Sequence, residues 1–203
     1  MELSDDDIIR RVQAGHTGEY SILVRRYQAG LIRFLSHFIG DADEAESIAQ
    51  DAFVRVYSAL PGYKPQGHFK AFLFTSARNL AINFMKQRKR TVPMSDIFSP
   101  GRESEHLRSD ETPDISLERD LRLSQLDMAL RRLSHNQRLA LVLKVYMQYS
   151  YKQINEVTGW SVAKIETLIS RARTNLVRLV KLQDQQFPAV TQMEINNELP
   201  KYS

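Results

Sequence analysis

Cysteine is absent from the 203-residue chain. That excludes disulfides and thiolate metal sites, and it is compatible with a reducing cytoplasm, the expected location. No run of about 18 or more apolar residues occurs, so membrane insertion is not expected. The first seven residues, Met1 to Asp7, are acidic and lack an apolar stretch behind a basic start, which argues against a secretory signal. The five histidines, His16, His37, His68, His106 and His135, are scattered without metal-ligand spacing. Alternating strand patterns and hairpin turn signals are missing, so no glycine-rich phosphate loop can follow a strand. Neither a nucleophile elbow nor a kinase-like motif is present. The carboxylates Glu44, Glu46 and Asp51 read as a solvated or partner-facing helix surface rather than an acid site. A protein that is no enzyme and carries no cofactor is expected.

What is present is unevenly distributed charge. The net +4 divides into +3 for Met1 to Arg90, −5 for Thr91 to Asp120, +8 for Leu121 to Leu182 and −2 for the remainder. Two basic blocks thus flank an acidic one, and clustered basic charge is the footprint of a polyanionic partner.

Apolar residues recur every three or four positions, which defines helices. Ile8, Ile9 and Val12 predict a first helix behind Ser4 as its cap. Ile22, Leu23, Tyr27, Leu31, Leu35 and Phe38 predict a second, ended by Gly40 and Asp41. Ala45, Ile48, Ala49, Phe53, Val56, Tyr57 and Leu60 mark a third. A loop with Pro61, Gly62, Pro65 and Gly67 precedes a fourth, from Phe69 to about Arg88. The stretch from Thr91 to Ser116, with Pro93, Pro100, Gly101 and Pro113, is too polar to bury a core and reads as a flexible acidic linker. Beyond it, Leu121, Leu126, Met128, Leu130 and Leu133 predict one helix, and Leu139, Leu141, Val142, Val145 and Tyr146 another.

Residues 150–168 fit a helix-turn-helix. Ile154 and Val157 supply the inner face of its first helix, and Gly159 stands where the turn wants positive φ. Ser161 can cap the second helix, whose inner face would be Val162, Ile165, Leu168 and Ile169. The class is all-α, with two helical domains. The expected organisation is 1–90 as the first domain, 91–120 as linker, 121–182 as the second domain and 183–203 as a polar tail.

Three stretches resemble, in order, the extracytoplasmic-function (ECF) sigma factors of the sigma-70 family. DADEAESIAQDAFVRVY, from Asp41 to Tyr57, resembles their polymerase-binding helix. Phe69 to Arg90 resembles the helix that reads the promoter −10 element. Leu130 to Arg138, continued to Arg171 and Arg173, resembles the domain that reads the −35 element. The likeness spans nearly everything except linker and tail.

The resemblance implies a sigma factor that binds core RNA polymerase and directs initiation under the control of an anti-sigma factor. Residues 1–90 would be sigma domain 2, and 121–182 sigma domain 4. The third helix would dock on the clamp coiled coil of the polymerase β′ subunit, with the β flap as a second polymerase contact. Glu46, Gln50 and Asp51 would make polar contacts there, while Ile48, Phe53 and Val56 mostly pack. Tyr63, Lys64, Gln66 and His68 in the loop, with Arg78, Asn79 and Asn83 on the fourth helix, would form the −10 pocket for a base taken out of the stack. Lys86, Arg88, Lys89 and Arg90 would meet phosphates. Phe69 and Phe72 are candidates for stacking on bases, with core packing expected for Phe72, where the family often has tryptophan. In the −35 domain, Ser161, Lys164, Glu166, Thr167, Ser170 and Arg171 would face the major groove, and Arg173 the DNA backbone.

Some positions depart from the family. Glu166 and Leu168 stand where basic or small polar residues are common. Ser134 replaces a proline, and Asn155 replaces a small alanine between the two helices of the motif. The rival readings are a free-standing dimeric helix-turn-helix regulator and an adaptor that has lost DNA binding.

Overall fold

The structure is a computed structural model that describes residues 3–91, 126 and 128–186, with side chains through 88 and through 182 in the two long stretches. Most of the expected linker, most of the expected tail, and the side chains of Lys89 and Arg90 lie outside the described residues. Every regular element among the described residues is helical.

The first half holds four helices. α1 spans Asp5–Gln13, and the Ser4 hydroxyl accepts the Asp7 N–H at 3.2 Å, closing its first turn. A 3₁₀ turn at Thr17–Glu19 leads into α2, Tyr20–Ile39. Gly40 ends α2, and the Asp41 carboxylate caps α3, Ala42–Ala59, by accepting the Glu44 N–H at 3.2 Å. A second 3₁₀ turn, Leu60–Gly62, opens the loop to α4, Phe69–Thr91. The helices bury one stripe each: Ile8, Ile9 and Val12 from α1, Leu31, Phe34, Leu35 and Phe38 from α2, Ile48, Phe53 and Val56 from α3, and Phe69, Leu73, Phe74 and Ala77 from α4. Each fully buried large side chain contributes on the order of 1.5–3 kcal/mol, so tertiary packing rather than helix propensity holds these elements.

In the second half, a helical stretch over 128–132 precedes α5, His135–Leu141. The Ser134 hydroxyl accepts the Gln137 N–H at 3.4 Å, so serine supplies a helix cap where the family has a proline. α5 runs on as a π-helical turn, Val142–Tyr146, that the periodicity did not disclose. α6, Tyr151–Thr158, starts with a capping box in which Ser150 and Gln153 exchange hydrogen bonds of 2.9 and 3.2 Å. Gly159 ends it at φ 72°, as the turn requires. α7, Val162–Gln186, continues four residues into the stretch read as tail.

The two halves touch, which the sequence did not announce. Buried residues of α5, α6 and α7, including Leu139, Val142, Leu143, Ile154, Val157 and Ile165, join the core of the first half. Arg138 is buried, and its guanidinium donates to the Phe38 carbonyl at 3.1 Å and to the Arg131 carbonyl. His37 stacks on Tyr146 with ring centroids 3.9 Å apart, and Phe74 meets Tyr149 at 5.7 Å.

Candidate nucleic-acid and partner interfaces

α3 has two clearly different faces because its apolar residues return every three to four positions. Ile48, Phe53 and Val56 are buried and hold the helix to the core; they are not surface available to a partner. Tyr20 reinforces the seam by donating its hydroxyl to the Phe53 carbonyl at 2.8 Å. The opposite face exposes Glu46, Gln50 and Asp51. Val54, 66% exposed, and Tyr57, 39% exposed, extend that face. Sequence reading named Val54 only as part of the motif; an apolar residue out of phase with the buried stripe was the signal that could have found it.

The loop at 61–68 and α4 form a cleft of about 260 Å³ lined by Tyr63, His68, Ala71, Phe72, Thr75 and Glu156. Tyr63 stacks on Phe72 at 5.0 Å between centroids and meets Phe69 edge-on at 6.4 Å. Phe69 is fully buried, so it is core and cannot stack on a base; Phe72, expected in the core, is half-buried and lines the cleft. The exchange follows from register, since Phe69 shares the inner face with Leu73 and Ala77, whereas Phe72 turns toward the loop. Burial, with the carboxylates of Asp6 and Asp5 nearby, pushes the Tyr63 phenol above its usual pKa and keeps it neutral. Lys64, Gln66 and His68 are exposed on the loop.

On α4, Asn79 and Asn83 are exposed one turn apart, and Lys86 follows on the outside. Arg78 is half-buried and already engaged. It donates to Asn79 Oδ1 at 2.9 and 3.2 Å and to the Val157 carbonyl at 2.8 Å. Burial lowers its pKa from the arginine norm. Thr75 donates to the same Val157 carbonyl at 3.0 Å. Val157 and Glu156 belong to α6, so the end of the second half's first motif helix rests against the cleft, a neighbour sequence reasoning missed entirely. Arg88 forms an ion pair with Asp41 at 3.5 Å, so a phosphate would have to compete for it.

In the helix-turn-helix, Ile165 and Ile169 are buried and Leu168 is partly covered, but Val162 is 47% exposed rather than internal. Ser161 accepts the Lys164 N–H at 3.4 Å and caps α7. Asn155, where alanine is usual, needs no repacking: it is exposed, and its amide donates to the Trp160 carbonyl at 2.8 Å, tying the turn to α6. Ser161, Lys164, Glu166, Thr167, Ser170 and Arg171 all project outward. Thr167 returns its hydroxyl to the Ala163 carbonyl at 2.8 Å, and Lys164 lies 5.0 Å from the Trp160 ring centre. Arg173 is half-buried. Among the described residues, no group of three or more His, Asp or Glu is placed to hold a metal ion, and no helix is long and apolar enough to cross a membrane.

Known proteins share this fold. Residues 23–91 match the family described as sigma-70 region 2, and residues 123–176 the family described as sigma-70, region 4. The chain is 31% identical over 173 residues to the RNA polymerase sigma-H factor of Pseudomonas aeruginosa, covering 83% of this chain and 90% of that one. It is 28% identical over 178 residues to the ECF RNA polymerase sigma-E factor of Escherichia coli K12, covering 85% and 92%. Among solved structures, the sigma factor RpoE in complex with the anti-sigma factor NepR from Bartonella quintana superposes with a TM-score of 0.63 at 26% identity, covering 81% of this chain and 98% of that one. CnrH in complex with the cytosolic domain of CnrY shares the fold, with a TM-score of 0.63 at 22% identity over 88% and 97%.

Proposed function

This chain belongs to the extracytoplasmic-function group of the sigma-70 family of transcription-initiation factors, and from that membership we propose how its surfaces divide the work. The outer face of α3, with Glu46, Gln50, Asp51, Val54 and Tyr57, docks on the clamp coiled coil of the polymerase β′ subunit. The buried Ile48, Phe53 and Val56 set the pitch and orientation of that face. Carboxylates and an amide around two apolar side chains suit a basic helical partner with an apolar seam.

Residues 1–90 read the −10 element. Tyr63, His68 and Phe72 receive an unstacked base in the cleft, and Lys64, Gln66, Arg78, Asn79 and Asn83 supply donors and acceptors around it. Lys86, Arg88, Lys89 and Arg90 meet phosphates. Residues 121–182 enter the major groove of the −35 element through Ser161, Lys164, Glu166, Thr167, Ser170 and Arg171, with Arg173 toward the backbone and the β flap as the polymerase contact. Arg171 suits guanine and Glu166 suits cytosine N4. The protein works in the cytoplasm. An anti-sigma factor holds it when idle, which the complex of the related RpoE with NepR supports.

The observation that carries this reading is the pair of aromatic cleft and exposed amide face side by side on α4, with a separate acidic-apolar face on α3. Capture of purified core polymerase by the wild type, weakened in a Gln50→Ala/Asp51→Arg variant, is the expected result. Failure to bind polymerase with DNA binding intact would favour a free-standing regulator and remove the −10 assignments.

A further inference from the structure

We propose that Asp6 and Gln13 on α1 are positioning residues for the −10 recognition loop; this rests on the reading of residues 61–68 given above. The two are seven residues apart, which is two helical turns, so they share one face of α1 about 10 Å apart. That spacing brackets the loop. At its start, the Gln13 amide donates to the Leu60 carbonyl at 2.7 Å and to the Tyr63 carbonyl at 2.8 Å. At its end, both Asp6 carboxylate oxygens accept the Gly67 N–H, at 2.9 and 3.1 Å. Gly67 has φ +77°, so its N–H is aimed at α1 by a conformation that other residues adopt only with strain.

The chemistry is matched to the task. The Leu60 carbonyl already closes the 3₁₀ turn by accepting the Tyr63 N–H at 3.0 Å, and one amide with two N–H donors adds a second bond there and reaches the Tyr63 carbonyl as well. A carboxylate is acceptor-only and suits the single N–H at the other end. α1 is itself fixed to α2, because Asp5 pairs with Arg26 and accepts the Tyr27 hydroxyl, while Arg26 donates to the Leu3 carbonyl at 2.9 Å. Ile8, Ile9 and Val12 anchor it in the core. The loop between the clamps carries Tyr63, which stacks on Phe72 and forms one wall of the cleft. Fixing both ends before DNA arrives removes an ordering cost from the binding step.

Gln13 is exposed and Asp6 only half-buried, so truncating either leaves the core intact. The test is sequence selection by holoenzyme, assembled from core polymerase and full-length chain, on duplex promoter DNA randomised at both −10 and −35. Asp6→Ala and Gln13→Ala are each expected to lower the preference at one or two −10 bases by about fivefold, the value of a lost hydrogen bond, with the −35 preference unchanged. Asp6→Asn carries the same charge as Asp6→Ala but keeps an acceptor oxygen, and it is expected to retain the −10 preference. A −10 preference unchanged in both alanine variants would overturn the inference. So would a parallel fall at −10 and −35, which marks general loss of structure. If the wild type showed no −10 preference at all, the assignment of the loop itself would fall instead.

Discussion

Asn155 illustrates what a single substitution can do when its side chain finds a new partner. Alanine at this position would give the smooth contact expected between the two motif helices. Asparagine instead leaves that contact, points to solvent and donates to the Trp160 carbonyl beyond the glycine turn. Asn155→Ala is therefore expected to destabilise the second half by about 0.5–1 kcal/mol, because water can replace the lost partner at an exposed carbonyl. Urea unfolding checks it through the midpoint, with an unchanged slope. Gly159→Ala is harsher. At φ 72° a Cβ costs roughly 1–2 kcal/mol, even though the glycine has nothing within 4 Å for a methyl group to strike. A Gly159→Ala variant as stable as the wild type would show that the turn can relax into another conformation. Ser134 belongs to the same class as Asn155, a polar replacement whose value lies in a backbone bond, here the cap of α5.

At the scale of the element, α4 carries two jobs on two faces. Leu73, Phe74, Ala77 and Ala81 are sealed inside, whereas Asn79, Asn83 and Lys86 face out. An Asn79→Ala/Asn83→Ala variant is expected to fold and bind polymerase normally but to lose about 1–3 kcal/mol of −10 discrimination per lost base contact, measured by competition between matched and base-substituted promoters. Lys86→Ala should instead weaken all sequences alike and reduce the salt dependence of binding by about one phosphate contact. These helices were legible because apolar spacing of three to four, caps at Ser4 and Ser161, and breaks at Gly40 and Gly159 all agree with one another. The faces were less so. Phe69 and Phe72 have the same composition and nearly the same place, and only the neighbours they meet decide which is core and which is wall. Val162 likewise lies in phase with the inner stripe but at its first turn, where it is only half covered. The π-helical turn at Val142–Tyr146 was hidden for a similar reason: one extra residue in a turn does not disturb an apolar run enough to show, and its last residue, Tyr146, stacks on His37.

For the whole molecule, the decisive feature is a contact between parts distant in sequence, and no local pattern encodes that. The end of α6 rests on the cleft proposed for the −10 element, with the Val157 carbonyl taking the Thr75 hydroxyl and the Arg78 guanidinium. On the proposed reading, a base entering the cleft would compete with the Val157 carbonyl for the Arg78 guanidinium. If DNA needs the side of the cleft that α6 covers, engagement would require the halves to separate, and the free factor's apparent affinity would fall by the fraction that is open. The contact is fastened away from the DNA residues, by Arg138 on the Phe38 carbonyl and by His37 on Tyr146. Arg138→Met would leave carbonyls unpaired, each costing about 1–3 kcal/mol where it stays buried, and opening relieves that cost by admitting water. A closed form weakened by about 1.4 kcal/mol raises the open fraction about tenfold while that fraction is small. Arg138→Met/His37→Ala is thus expected to increase the radius of gyration of the free factor in X-ray scattering. It should also tighten its binding to single-stranded −10 DNA about tenfold, with little change in promoter binding by the holoenzyme if polymerase itself separates the halves. Tighter binding without expansion would place the effect within the cleft rather than in opening. Expansion without tighter binding would mean that α6 covers the cleft without blocking it, and that Arg78 is dispensable for DNA.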